Sequence, residues 1–160
     1  MSDFQAIADR VEIEALQYEF TDASMMRDWD RFALLFTEDG AWRMPHIDVD
    51  LVSREEIRAG VERLRGLWEY FVQNTHPGTL QLDGDTAVGR VYIAEFGNFR
   101  AGGSNLNYSL YHDRYQRTPD GWKFAERVYE IRYLDTTPLA GSAPHAPGAP
   151  EYAAEAEQEG

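Results

Sequence analysis

FVQNTHPGTLQLDGDTAVGRVYIAEFGNF, residues Phe71 to Phe99, is the stretch on which the fold turns. Side-chain character alternates with a period of two, and Asp83-Gly84 at its centre is a hairpin turn signal. Phe71 to Leu82 and Asp85 to Phe99 are therefore expected as two long antiparallel strands. Arg100 to Ser104, with two glycines, turns into Asn105 to Arg117. Thr118-Pro119-Asp120-Gly121 turns again into Trp122 to Leu134. Upstream the period lengthens. Phe4, Ile7, Val11, Ala15, Tyr18, Asp22 and Met25 recur at three- and four-residue steps, with Ile13, Leu16 and Phe20 widening the stripe, which predicts a helix over 3–26. Asp28 caps a short second helix through Phe36. Ala41 to Pro45 and Ile47 to Val52 read as short strands, and Ser53-Arg54-Glu55-Glu56 is a capping box opening a third helix to about Arg65. Helices first and a strand meander afterwards define an α+β domain with helices on one face of a curved sheet.

Composition narrows what such a domain does. The 160 residues carry 15 Lys+Arg against 28 Asp+Glu, a net charge of −13, and no cysteine. Polyanions such as nucleic acid are repelled by that excess of carboxylates. Disulfides, thiol nucleophiles and thiolate metal sites are excluded. The start has no basic segment followed by an apolar one, and the longest unbroken aliphatic or aromatic run is Phe32 to Phe36, so a soluble cytoplasmic protein without membrane contact is expected. Residues 141–160, rich in Pro, Ala and Glu, read as a disordered tail after a domain over 1–140.

Four segments in this order, Arg27-Asp28-Trp29-Asp30-Arg31-Phe32, Leu35-Phe36-Thr37-Glu38-Asp39-Gly40, Leu82-Asp83-Gly84-Asp85-Thr86-Ala87 and Asp120-Gly121-Trp122-Lys123-Phe124, resemble the SnoaL-like branch of the nuclear transport factor 2-like superfamily. The resemblance implies a cone: a curved antiparallel or mixed sheet wrapped by three N-terminal helices around an internal pocket. Thr75-His76-Pro77-Gly78-Thr79 and the exit Tyr133 to Gly141 are similar to the scytalone dehydratase and hexachlorocyclohexane dehydrochlorinase group. By that resemblance His76 is a general base. The acid that would orient it, three residues before Asp28, is replaced by Met25. Asp22, one helical turn earlier, is the substitute partner, and Tyr18 lies a further turn back.

The remaining candidates follow from alternation. Leu106, Tyr108, Leu110, His112 and Arg114 form the more apolar of two strand faces and are expected to point inward, as are Val128, Glu130 and Arg132, with Tyr92 and Phe96 as pocket wall. Tyr111, Tyr115, Tyr129, Ile131 and Tyr133 would then form an outer face apolar enough to build a homodimer or homotrimer. His46, Asp48 and Asp50 alternate, but hard ligands on a short edge strand read as a solvated face, and no metal is expected.

The expectation is a lyase or isomerase, dehydratase- or cyclase-like, that needs no cofactor and acts on a small, mostly apolar cyclic or polyketide-like molecule. His76 would take the proton and Asp22 would orient it, with Tyr18 or His112 assisting. The alternative is a non-catalytic small-molecule-binding protein that has lost the Asp-His dyad, as Met25 suggests. An epoxide-hydrolase-like reaction using Asp22, Glu130 and Arg132 is a third reading.

Overall fold

The computed structural model describes residues 3–146; from residue 147 the expected tail lies outside the described residues. The elements are α1 (Asp3–Met25), α2 (Trp29–Leu34), β1 (Phe36–Met44), a 3-10 turn (Pro45–Ile47), β2 (Val49–Val52), α3 (Arg54–Gly66), β3 (Trp68–Asp83), β4 (Thr86–Phe99), β5 (Ser104–Thr118) and β6 (Gly121–Asp135). The strands form one six-stranded sheet in the order β2-β1-β6-β5-β4-β3. Every pairing is antiparallel except β1 with β6, which is parallel. The α+β reading holds, and the sheet is mixed.

Local chemistry explains the helix boundaries. Asp28 caps α2 by accepting from the Arg31 N–H at 3.2 Å. At α3 the Ser53 hydroxyl accepts from the Glu56 N–H at 3.2 Å, and the Glu56 carboxylate accepts from the Val52 N–H at 2.8 Å, a capping box reaching one residue further back than usual.

Helix α1 buries only one flank of the predicted stripe, Ile13, Leu16 and Phe20, and turns the rest of it outward. Asp9, Ile13, Leu16, Gln17, Phe20, Ala23 and Ser24 are buried, whereas Phe4, Ile7, Val11 and Tyr18 are exposed. The buried face looks polar in sequence because two of its members are paired across the fold. Asp9 accepts both Arg117 guanidinium nitrogens at 2.8 Å and the Trp122 indole at 3.0 Å, and Gln17 donates to the Tyr115 hydroxyl at 2.8 Å. Burying a polar group with its partners supplied costs little.

Bulges set the curvature and the facing of the strands. On β3 the register slips between His76 and Thr79, where Pro77 lacks an N–H and a Cβ on Gly78 would stand 1.8 Å from the Arg90 carbonyl oxygen. On β6 it slips between the pairs Arg114↔Glu126 and Tyr115↔Phe124, leaving Ala125 unopposed. Trp122 and Phe124 therefore face the helices before the slip, and Arg127 and Tyr129 after it. Strict alternation fails there.

The core lies between α1, α2 and the concave sheet face. Phe20 is at its centre, with ring centroids 4.6 Å from Phe32, 5.4 Å from Tyr111 and 5.9 Å from Phe124. Beneath it Arg127 is fully buried, bonded to Asp113 at 2.7 and 3.0 Å and stacked on Phe20, Tyr111 and Phe124.

Candidate functional site

A cavity of about 400 Å³ opens where the C-terminal half of α1, α3 and the 3-10 turn meet the concave face of β3 to β6. The helices cannot fill this end, because the sheet curls away and large rings (Phe20, Phe32, Trp42, Trp68, Phe71 and Tyr111) stand around the space as a wall. Arg65, Trp68 and Phe71 also border a second cavity of about 360 Å³, together with Met25, Met26, Arg27 and residues 143–146.

Among the described residues lining the larger cavity, Glu95 is the only carboxylate. It points inward from β4, with neighbours supplied by β3, β5 and β6. Gln73 Nε2 donates to Glu95 Oε2 at 3.0 Å, Asn107 Nδ2 donates to Oε1 at 3.0 Å, and the Tyr129 hydroxyl makes a short bond to Oε1. Asn107 Nδ2 also approaches the Tyr129 and Ser109 hydroxyls at 2.6 and 2.9 Å, so two amide hydrogens serve three acceptors. Gln73 is itself fixed, accepting from the Thr21 hydroxyl at 2.7 Å, while its backbone N–H points at the Met25 sulfur at 3.3 Å. Glu95 is thus held by neutral donors alone.

Burial dominates the electrostatics. The Tyr129 hydroxyl is pushed well above the ordinary phenol range by burial and then by Glu95, so it remains a proton donor. Arg65 has its guanidinium pulled down to about 9, because burial outweighs the attraction of Glu95. His46, in the 3-10 turn at the cavity mouth, has its ring 5.4 Å from Tyr129 and is lowered by burial against a weaker pull from Glu95.

The sequence-derived candidates lie elsewhere. His76 is exposed on the far side of β3, opposite Tyr92. Asp22 is bonded to Arg31 at 2.5 Å on the outside of α1, so Asp22 and His76 are not brought together. Tyr18 and Tyr92 are exposed, and Phe96 shares the outer parity of Tyr92 on β4. His112 faces Glu130 at 3.4 Å, and Glu130 also pairs with Arg132, all on the convex face. Asp22, Glu130 and Arg132 therefore share no pocket. Met25 does border the second cavity. The expected outer set is corrected as well: Tyr111, Tyr115 and Tyr129 are buried inside, and only Tyr133 of the five is among the exposed large side chains. His46 occupies a turn, Asp48 is left-handed at φ 55° and Asp50 pairs with Arg43, so these three do not project from one strand.

One sequence signal does mark Glu95. On β4 the set Ala87, Gly89, Val91, Ile93, Glu95 is more apolar than Thr86, Val88, Arg90, Tyr92, Ala94, and the parity that holds Arg90 is the better candidate for water.

The chain is thus a helix-lidded sheet, hollow at one end and lined there by a few fixed polar groups. Residues 5–128 match the SnoaL-like domain family, and the chain belongs to it. An uncharacterized protein of Mycobacterium tuberculosis strain H37Rv is 26% identical over 129 residues, covering 76% of this chain and 84% of its own. Hexachlorocyclohexane dehydrochlorinase LinA-type3 from Novosphingobium barchaimii LL02 has a similar structure, with a TM-score of 0.78 and 23% identity over 88% of this chain and 97% of that one. A second dehydrochlorinase structure, LinA Type2, gives a TM-score of 0.82 at 21% identity over 92% and 99%.

Proposed function

We propose that the chain is a cofactor-independent acid–base catalyst of the lyase or isomerase kind, acting on a small, mostly apolar cyclic or polyketide-like molecule, with Glu95 transferring the proton. One observation carries this reading: a single carboxylate, fixed by Gln73, Asn107 and Tyr129, at the wall of an otherwise largely aromatic cavity. Glu95 Oε2 accepts from Gln73 only, and a carboxylate oxygen has about two acceptor sites, so one remains for a substrate C–H proton. Tyr129 and Asn107 hold Oε1 and keep the group from swinging, which is what positioned base catalysis requires. A similar fold in two dehydrochlorinases supports elimination chemistry.

The test is hydrogen–deuterium exchange, followed by NMR in D₂O, on small cyclic ketones beginning with 2-tetralone, whose acidic C–H bonds sit beside a carbonyl. The native chain is expected to accelerate exchange and Glu95→Gln to abolish the acceleration. Equal rates for the two would remove Glu95 from the chemistry.

A second reading, a small-molecule-binding protein without catalysis, is favoured by Met25, whose thioether meets the Gln73 backbone where the related enzymes are expected to carry an acid. Ligand capture without exchange in any panel member would select it. A homodimer or homotrimer built on the convex sheet face would use Val88, Tyr92, Tyr108 and Tyr133, and sedimentation velocity reads its presence.

A further inference from the structure

We propose that the cavity takes an acid: a small ring compound bearing a carboxylate that pairs with the guanidinium of Arg65, which lines the cavity without an anionic partner among the described residues. The proposal deepens the reading of this cavity as the ligand site and is independent of whether Glu95 catalyses. Its basis is an unfinished cation. Arg65 Nη2 donates to the Ser24 carbonyl at 3.3 Å, and the face of the guanidinium lies 3.4 Å from the Phe71 ring centroid. Nη1 is buried and has no hydrogen-bond partner. Among the described residues no carboxylate forms an ion pair with Arg65: Glu95 acts on it only through space, and Glu69 borders the neighbouring cavity without bonding to it.

A buried charge is ordinarily paired, and a guanidinium edge is shaped to donate to a carboxylate. Arg65 stands on the wall common to both cavities, and Arg27 adds a second positive charge to the neighbouring one, in a chain whose net charge is −13. This positive spot persists against the protein's own field. The aromatic wall beside it fits the ring of such an acid, and the charge fits its carboxylate.

The experiment compares 2-naphthoate with the neutral, near-isosteric 2-naphthamide by titration calorimetry on the full chain. The acid is expected to bind about ten- to a hundredfold more tightly. Arg65→Met is expected to erase that preference while leaving the amide within about threefold, and Arg65→Lys to restore part of it. Equal affinity of the native chain for both compounds, or no binding of the acid at about 1 mM, overturns the proposal. Equal weakening of both compounds by Arg65→Met also overturns it, because Arg65 would then only prop the Trp68–Phe71 wall. If Arg65→Met fails to fold, the native pair decides alone. Glu95→Gln removes a like charge near the acid and is expected to strengthen its binding; Arg65-dependent binding without catalysed exchange would sink the catalytic reading and leave this one standing.

Discussion

The two ends of the space between α1 and the sheet handle charge in opposite ways. Under the N-terminal half of α1, Asp9 is matched by Arg117 and Trp122, and toward the middle Asp113 is matched by Arg127 and Tyr115. Under the C-terminal half, Glu95 is held by neutral amide and hydroxyl groups, and Arg65 by a carbonyl and a ring. Asp9, Asp113 and Arg127 are buried and Glu95 and Arg65 are half-buried, and only the first set is neutralised within the chain. Where opposite charges meet within the chain they hold the fold together; where each is left to neutral neighbours, as at Glu95 and Arg65, neither is neutralised by an ion pair among the described residues.

That contrast is broken most sharply at Glu95. Glu95→Gln is expected to slow catalysed exchange by about 10²- to 10⁴-fold while unfolding stability stays within about 1 kcal/mol of the native chain. A large stability loss with activity retained would put Glu95 in the structural class. Asp113→Ala should do the reverse, leaving Arg127 buried without its anion at a cost of about 3–5 kcal/mol in urea unfolding. Gly78→Ala, which presses a methyl group on the Arg90 carbonyl, is expected to cost about 1–3 kcal/mol by the same measurement.

The filled end also has an acid signature. Arg117, followed by Trp122 and Gln5, holds the Asp9 carboxyl far below its usual 3.8, so the folded chain binds that proton more weakly than the unfolded chain. Its contribution to stability is complete above the unfolded value and is lost as pH falls below it. Urea midpoints at pH 7 and pH 3 should therefore differ less in Asp9→Asn than in the native chain. The smallest effect belongs to the convex face: His76→Ala is expected to shift stability by no more than about 0.5 kcal/mol and to leave exchange unchanged. A hundredfold loss there would restore His76 to the chemistry.

Much of this architecture was legible in the residues. Hairpin signals at Asp83-Gly84 and Asp120-Gly121, the Ser53 capping box and the helix-then-strand order all stand where expected. Facing was not. Asp9 and Gln17 made the buried side of α1 look like surface, because their partners Arg117 and Tyr115 lie about a hundred residues away along the chain. The Ala125 bulge inverted alternation along β6, and the more apolar set on β5 proved to be the convex one, since Asn107, Ser109 and Asp113 are buried with partners. A polar residue whose bond is made across the sheet carries no local sign of burial. Asn107 is missed for that reason, whereas Glu95, which the alternation along β4 does mark, is passed over when Tyr92 and Phe96 of the opposite parity are read as pocket wall.

The parallel seam between β1 and β6 has a consequence for how the molecule comes into being. Trp42 lies beside Arg127, and β2 reaches the rest of the sheet only through β1, so the 3-10 turn that frames the cavity mouth has no sheet to join until the final strand has been synthesised. Closing so long a loop is entropically costly and slow. During translation the helices and the first two strands therefore lack their partner in the sheet until β6 has left the ribosome, and the cavity takes shape only then.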